Sequence, residues 1–347
     1  LYTFRGVTPA IKEGHEKMDK IRLGIIGLGN MGGAHANNIL NGMCPETELT
    51  AAADLIEDHR NRVRGRIPDD AIYNTGEELI DSGKVDAVLI ATPHYLHPVL
   101  AVRAFERGIH VVSEKPAGVY TKQVREMNEA AKKAGVVFAM MFNVRTLPLF
   151  RKMRELVKSG EFGEIRRTSW LMTDWYRSQC YYDSGSWRAT WAGEGGGVLL
   201  NQCPHNLDIW QWICGMPVKV SAKMHFGKWH DIEVEDDASI YVEYANGATG
   251  TFITSTGDAV GRNRFEIILD GGSILAENGK LFVTKLAVRE SEFTKTNKAP
   301  FAKPGSETYE VVPEGEYTQH CGIINAFAGA ILHGTPLIAD GSEGINA

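Results

Sequence analysis

The sequence is short of several things, and each shortage excludes a class of protein. Its 347 residues hold five cysteines, Cys44, Cys180, Cys203, Cys214 and Cys321, scattered and with no C-x-x-C pair. A disulfide framework or a zinc ribbon is therefore not expected, and no metal site is expected elsewhere. Odd, dispersed cysteines suit a reducing compartment, and we expect the cytoplasm. No run approaches the roughly 20 apolar residues of a membrane span. There is no basic excess: 37 Lys+Arg against 43 Asp+Glu give a formal charge of −6, which argues against nucleic acid and against an anionic membrane surface as partners. Low-complexity tracts and internal repeats are missing too. What is present is a globular profile, 43% hydrophobic and 23% charged, at a length that predicts two domains. Residues 1–19 read as an N-terminal extension, since no continuous apolar run of a signal peptide occurs there.

From Ile21 the pattern is that of an α/β domain. Ile21–Ile26, Leu49–Ala53, Val85–Ala91, Ile109–Ser113 and Val136–Met141 read as buried strands. Helices are expected between them at Asn30–Leu40, Leu55–Arg64, Pro98–Arg107 and Lys122–Ala134. This alternation predicts βαβ units and a parallel sheet over residues 20–143. The rest, 144–347, reads as α+β: a helix at Pro148–Lys158, then strands joined at Asn246-Gly247, Gly271-Gly272 and Asn278-Gly279, which predict an antiparallel meander. A loop is expected at Glu290–Ser306 and a helix from about Thr318 to Leu332.

Gly27-Leu28-Gly29-Asn30-Met31-Gly32 is a G-x-G-x-x-G loop between a strand and a helix, the context in which that pattern binds a dinucleotide. Gly27 allows the tight turn, Gly29 lets the backbone approach a pyrophosphate, and Gly32 lets helix and strand pack closely. The free N–H groups of the helix start, at Asn30 and Met31, face the anion. Asp54 ends the second strand, where a carboxylate accepts from both ribose hydroxyls and repels a 2′-phosphate. NAD is therefore expected over NADP, with Arg60, Arg62 and Arg64 as the residues that weaken this preference. Glu114-Lys115-Pro116 follows a sheet strand, so Lys115 sits at the carboxyl end where such sheets hold ligands.

With these motifs, Ala91-Thr92-Pro93-His94-Tyr95-Leu96-His97 and the segment Gly195–Asp208, the chain resembles the glucose–fructose oxidoreductase, inositol dehydrogenase and MocA family over nearly its whole length from Ile21. The resemblance implies a Rossmann domain plus an α+β domain with a large, mostly antiparallel sheet that makes homodimers or homotetramers. It implies hydride transfer between NAD(P) and a sugar, glycoside, inositol or other polyol. Lys115 falls on the family's lysine, and Asn201 and His205 fall on its Asp-x-x-x-His pair. Asn201 departs from that pattern: an amide carries no charge and takes no proton at neutral pH. A role needing an anion is lost there or moved, to Asp208 or Asp174. His94 stands where the family more often has Asn. The family commonly continues with a helix beyond Gly341-Ser342-Glu343-Gly344, so a truncated chain is expected.

For oxidation of a secondary alcohol, His205 is the natural base and Lys115 the stabiliser of the developing alkoxide, with Asn201 orienting the substrate. The two basic groups exchange roles if burial lowers the lysine's pKa. Asn201 and His205 share a face if their segment is helical, which Pro204 puts in question. Thr92, Pro93, His97, Glu114 and Lys115 are expected to line the nicotinamide end. Tyr176, Arg177, Trp187 and Arg145 are candidate substrate contacts, against the alternatives of a packed aromatic loop and, for Arg145, a salt bridge. Two other functions remain open at this point: an NAD- or sugar-binding protein without turnover, and an enzyme that recycles a tightly bound NAD through transient oxidation.

Overall fold

Alternating apolar runs and helices over the first 140 residues leave few ways to bury the runs on both faces, and a parallel sheet covered by helices is the one adopted. A computed structural model describes residues 19–185 and 187–347; nearly all of the expected extension lies outside them. Strands β1 (Ile21–Ile26), β2 (Thr47–Ala53), β3 (Ile72–Tyr73), β4 (Ala87–Ile90), β5 (His110–Ser113) and β6 (Phe138–Met140) form a six-stranded sheet. Its order is β3-β2-β1-β4-β5-β6 and every pairing is parallel, the Rossmann order. The crossovers carry α1 (Asn30–Leu40), α2 (Glu57–Arg60), α3 (Gly76–Asp81), α4 (Leu96–Glu106) and α5 (Thr121–Ala134). Strand β4, Ala-Val-Leu-Ile, is buried throughout, as a central parallel strand must be.

The second half holds α6 (Pro148–Lys158), β7 (Ile165–Met172), α7 (Gln179–Asp183), α8 (Pro204–Cys214), strands β8 (Lys219–Phe226), β9 (Glu235–Glu243), β10 (Thr249–Ser255), β11 (Asn263–Leu269), β12 (Gly272–Glu277) and β13 (Lys280–Leu286), α9 (Glu290–Thr296), β14 (Ser306–Val311) and α10 (Gln319–His333). Its sheet runs β14-β13-β12-β11-β7-β10-β9-β8. Only β7 and β10 pair in parallel. Helices α6 and α8 cover one face, over a core in which Trp170 stacks on Phe265 at 4.3 Å and Trp210 on Phe252 at 5.7 Å.

Three expectations need correction. Glu290–Ser306 is not all loop, because α9 occupies its first seven residues. Helix α2 is four residues long rather than ten. The division at residue 143 is also incomplete: Ile323, Ile324 and Phe327 of α10 join the core of the first sheet, and Met140 N–H donates to Ala339 O at 3.2 Å. The chain's last 30 residues thus return to the dinucleotide-binding half.

Candidate active site

The glycine loop meets its three steric demands. Gly27 has φ +91°, and a Cβ there would meet Ala91 O at 2.6 Å. At Gly32 a Cβ would lie 1.7 Å from Gly27 O, so helix and strand touch through this glycine. At Gly29 nothing lies within 4 Å of the added Cβ, which leaves the backbone open to a pyrophosphate. Gly29 begins α1 with no side-chain cap among the described residues. The first-turn N–H groups of Asn30, Met31 and Gly32 have no carbonyl within their own helix, and Asn30 and Met31 are exposed.

Asp54 ends β2 beside this loop. Its carboxylate accepts from Leu28 N at 2.6 Å, Ile56 N at 2.8 Å and His59 Nδ1 at 3.1 Å. Arg60 donates to the carbonyls of Asp54 and Leu55, and Arg62 to those of Leu28 and Gly29. Arg64 approaches Glu57 at 4.0 Å. Arg60 and Arg62 are thus engaged by backbone carbonyls, which leaves the acidic Asp54 as the group that fits a ribose. Thr92 lies across from Gly27 at the end of β4, and its buried Oγ1 has no partner among the described residues. An uncapped helix start, an open glycine, a carboxylate at the ribose end and an orphaned hydroxyl together fit a bound dinucleotide.

Beyond that crevice β5 delivers Glu114 and Lys115. Glu114 is buried, and its carboxylate faces His35 Nε2 at 2.7 Å and the Lys115 N–H at 3.1 Å. The His35 contact holds its pKa down at about 2 against the effect of burial. It ties β5 to α1. Lys115 Nζ donates to Asn201 O at 2.7 Å, and burial lowers its pKa from the ordinary lysine value. Pro93 is exposed at the rim. His97 does not reach into the crevice: it is 1% exposed, and its ring nitrogens face Pro116 O at 2.7 Å and Thr92 O at 2.8 Å. Its part is to clamp the ends of β4 and β5 together.

Asn201 and His205 are not on one helix face. Pro204 is the first residue of α8, where a missing N–H costs nothing, so Asn201 lies in the preceding turn with its N–H on Gly197 O at 2.9 Å. His205 occupies the first turn of α8. Its ring meets Phe142 edge-on at 6.3 Å, and its buried Nδ1 has no partner among the described residues. Burial, then the charge of Lys115, pushes His205 down to about 3. It is neutral across the physiological range.

The candidate substrate contacts divide. Trp187 stands edge-on to His94 at 5.8 Å and under the Arg188 guanidinium. His94 Nδ1 donates to Glu194 O at 2.8 Å, so Trp187 borders the turn that carries Glu194. Tyr176 is exposed, and Arg177 stacks on Trp175 and Tyr181. Among the described residues neither hydrogen-bonds Lys115, Asn201 or His205. Arg145 is the salt bridge of the two alternatives: it is 2% exposed and pairs with Asp208 at 2.6 Å and with Glu343. Asp208 is thereby spent, and Asp174 is exposed. The carboxylate that meets Asn201 is one the sequence reading passed over, Glu194, which accepts from Asn201 Nδ2. Its only signal was an acid set inside the glycine run Gly193–Gly197.

A doubly-wound parallel sheet whose glycine loop fits a dinucleotide, followed by a mostly antiparallel sheet, is the architecture of an NAD-dependent oxidoreductase. Residues 21–142 match the oxidoreductase family profile described as an NAD-binding Rossmann fold, and residues 150–275 match the GFO/IDH/MocA C-terminal domain. The chain belongs to the GFO/IDH/MocA family. It is 29% identical over 269 residues to the myo-inositol 2-dehydrogenase of Thermotoga maritima, covering 74% of this chain and 75% of that one. It is 23% identical over 342 residues to the scyllo-inositol 2-dehydrogenase (NAD(+)) of Bacillus subtilis, covering 94% and 91%. In fold it resembles the WlbA dehydrogenase of Bordetella pertussis, solved with NADH and UDP-GlcNAcA, with a TM-score of 0.77, 22% identity and coverage of 94% and 92%.

Proposed function

We propose that this protein transfers hydride between NAD and a secondary hydroxyl of a sugar, glycoside or inositol, with Lys115 carrying the hydroxyl proton. The observation that carries the reading is the placement of Lys115 at the end of β5, fixed to Asn201 O and close enough to His205 to depress its pKa. The relatives named inositol dehydrogenases support the substrate class.

A bound NAD would supply the acceptor for the hydride that leaves the carbinol C–H. The chain's own residues deal with the proton. A lysine whose pKa burial lowers gives up its proton more readily; as free amine it accepts the hydroxyl proton and returns it in the reverse direction. His205, held neutral and weakly basic, is better suited to hydrogen-bond and orient the hydroxyl than to take its proton. This is the second of the two role assignments open from sequence. Asn201 and the Trp187 edge complete the substrate side.

The test is NADH formation by the purified protein from NAD⁺ or NADP⁺ with inositols, aldoses, anhydrosugars and glycosides. NADH from one class is expected. No product from any class, with NAD binding shown separately, would remove the dehydrogenase reading.

We further place the protein in the cytoplasm, a reading supported by five cysteines that are all free thiols; no helix among the described residues is long and apolar enough to cross a membrane. We propose a homodimer or homotetramer built on the second sheet. Its outward residues include Tyr241 and Ile253, each 42% exposed, and this face has no covering layer among the described residues. Sedimentation as a monomer at micromolar concentration would contradict the assembly.

A further inference from the structure

Position 201 carries an amide where the family's pattern has a carboxylate, yet the site is not without an anion. Glu194 is 2% exposed. One carboxylate oxygen accepts from Asn201 Nδ2 and the other from Ala189 N at 2.6 Å, while its own carbonyl meets His94 Nδ1 at 2.8 Å. Asn201 thus touches both charges, Glu194 through its side chain and Lys115 through its carbonyl.

The groups facing Lys115 come from several elements. Glu114 and Glu194 favour its ammonium form, Arg188 opposes it, and Cys203 is pushed up to about 12 by burial and stays a thiol. His94 and His205 are each held at about 3 and add no charge at neutral pH. The Glu114 carboxylate is turned to His35 and to the Lys115 backbone N–H. Among the described residues, Glu194 is the remaining carboxylate bearing on the ammonium.

We propose that Glu194, held by Asn201, supplies the negative charge beside Lys115 that position 201 itself does not carry, and is a positioning residue for the proton-carrying lysine. This rests on the proton-carrying role given to Lys115. The carboxylate's charge opposes the effect of burial on the lysine and holds its midpoint above where burial alone would set it.

The test reads the lysine directly in the full-length protein. Only the free amine reacts with acetic anhydride, so trace acetylation of Lys115 against pH, followed by peptide mass spectrometry, gives its titration midpoint without any substrate. Glu194→Gln is expected to move that midpoint down by about one pH unit. Adding Asn201→Asp, to give E194Q/N201D, restores a charge one side chain away and is expected to return it to near the wild-type position. The rising limb of the pH–rate profile for NADH formation is expected to follow the same two movements. An unmoved midpoint in E194Q, or a movement that E194Q/N201D does not reverse, would overturn the proposal. If E194Q does not fold, N201D alone is expected to raise the midpoint, and no change would overturn it equally. A silent substrate panel leaves the acetylation result intact, so failure of the substrate reading is told apart from failure of this one.

Discussion

Lys115→Ala is expected to lower kcat/KM for NADH formation at least about a hundredfold while changing NADH affinity by less than about threefold. The ammonium group is anchored to Asn201 O, on the substrate side of the crevice. The glycine loop that fits a pyrophosphate lies instead after the strand two places away in the sheet. Loss of the side chain removes the proton acceptor and leaves the dinucleotide cradle in place. Lys115→Arg is not expected to rescue it, because a guanidinium stays protonated at any working pH. His205→Ala is expected to cost as much, through lost orientation of the hydroxyl. The pH profile separates the two roles. If neutral Lys115 is the base, the oxidation rate rises with pH through its lowered pKa and then levels, and the reverse reaction falls over the same range. His205 is already neutral well below this range, near 3, so no limb near the ordinary histidine value of about 6.5 is expected. A limb there that disappears in His205→Asn would return the base role to the histidine.

The second large effect is on stability. Asp208→Ala is expected to destabilise the protein by about 3–5 kcal/mol, read as a lower denaturant midpoint. Arg145 and Asp208 form two hydrogen bonds, Nε–Oδ2 at 2.8 Å and Nη2–Oδ1 at 2.6 Å, with both side chains 1% exposed. The guanidinium also lies over the rings of Phe142 and Trp212. Without Asp208 a buried cation is left, among the described residues, with the part-exposed Glu343 as counter-charge. The pair joins the end of the first sheet to α8, three residues after His205. Asp208→Ala is therefore expected to raise KM as well, whereas a surface change such as Lys219→Ala, at a pair largely in water, is expected to cost about 0.5 kcal/mol or less.

Much of this arrangement is legible in the sequence where one physical signal dominates. The parallel strands are short apolar runs, and the hairpins carry Asn-Gly or Gly-Gly. Elements that bury little were missed. Helix α9 has no buried residue, and edge strand β14, Ser-Glu-Thr-Tyr-Glu-Val, is almost wholly exposed. Strand β7 alternates only from Thr168 onward, after Arg166 and Arg167 break its start. Helix α3 did carry a signal, the Thr75/Glu78 capping box, in a segment too short for a periodic apolar face. The overlong expectation for α2 fails because Leu55 and Ile56 are exposed and Asp54 captures the Ile56 N–H. In the site, Lys115 and His205 follow from strand-end position and motif. Glu194 does not, since its meaning depends on a turn that brings it back onto Asn201.

The most direct test of hydride transfer at this crevice uses a substrate from the reactive class carrying deuterium on the carbinol carbon, with the reaction quenched in single turnover. The deuterium is expected at C4 of the nicotinamide, and Lys115→Ala is expected to slow its transfer at least about a hundredfold. Deuterium released to water, with none in the cofactor, would contradict hydride transfer at this crevice.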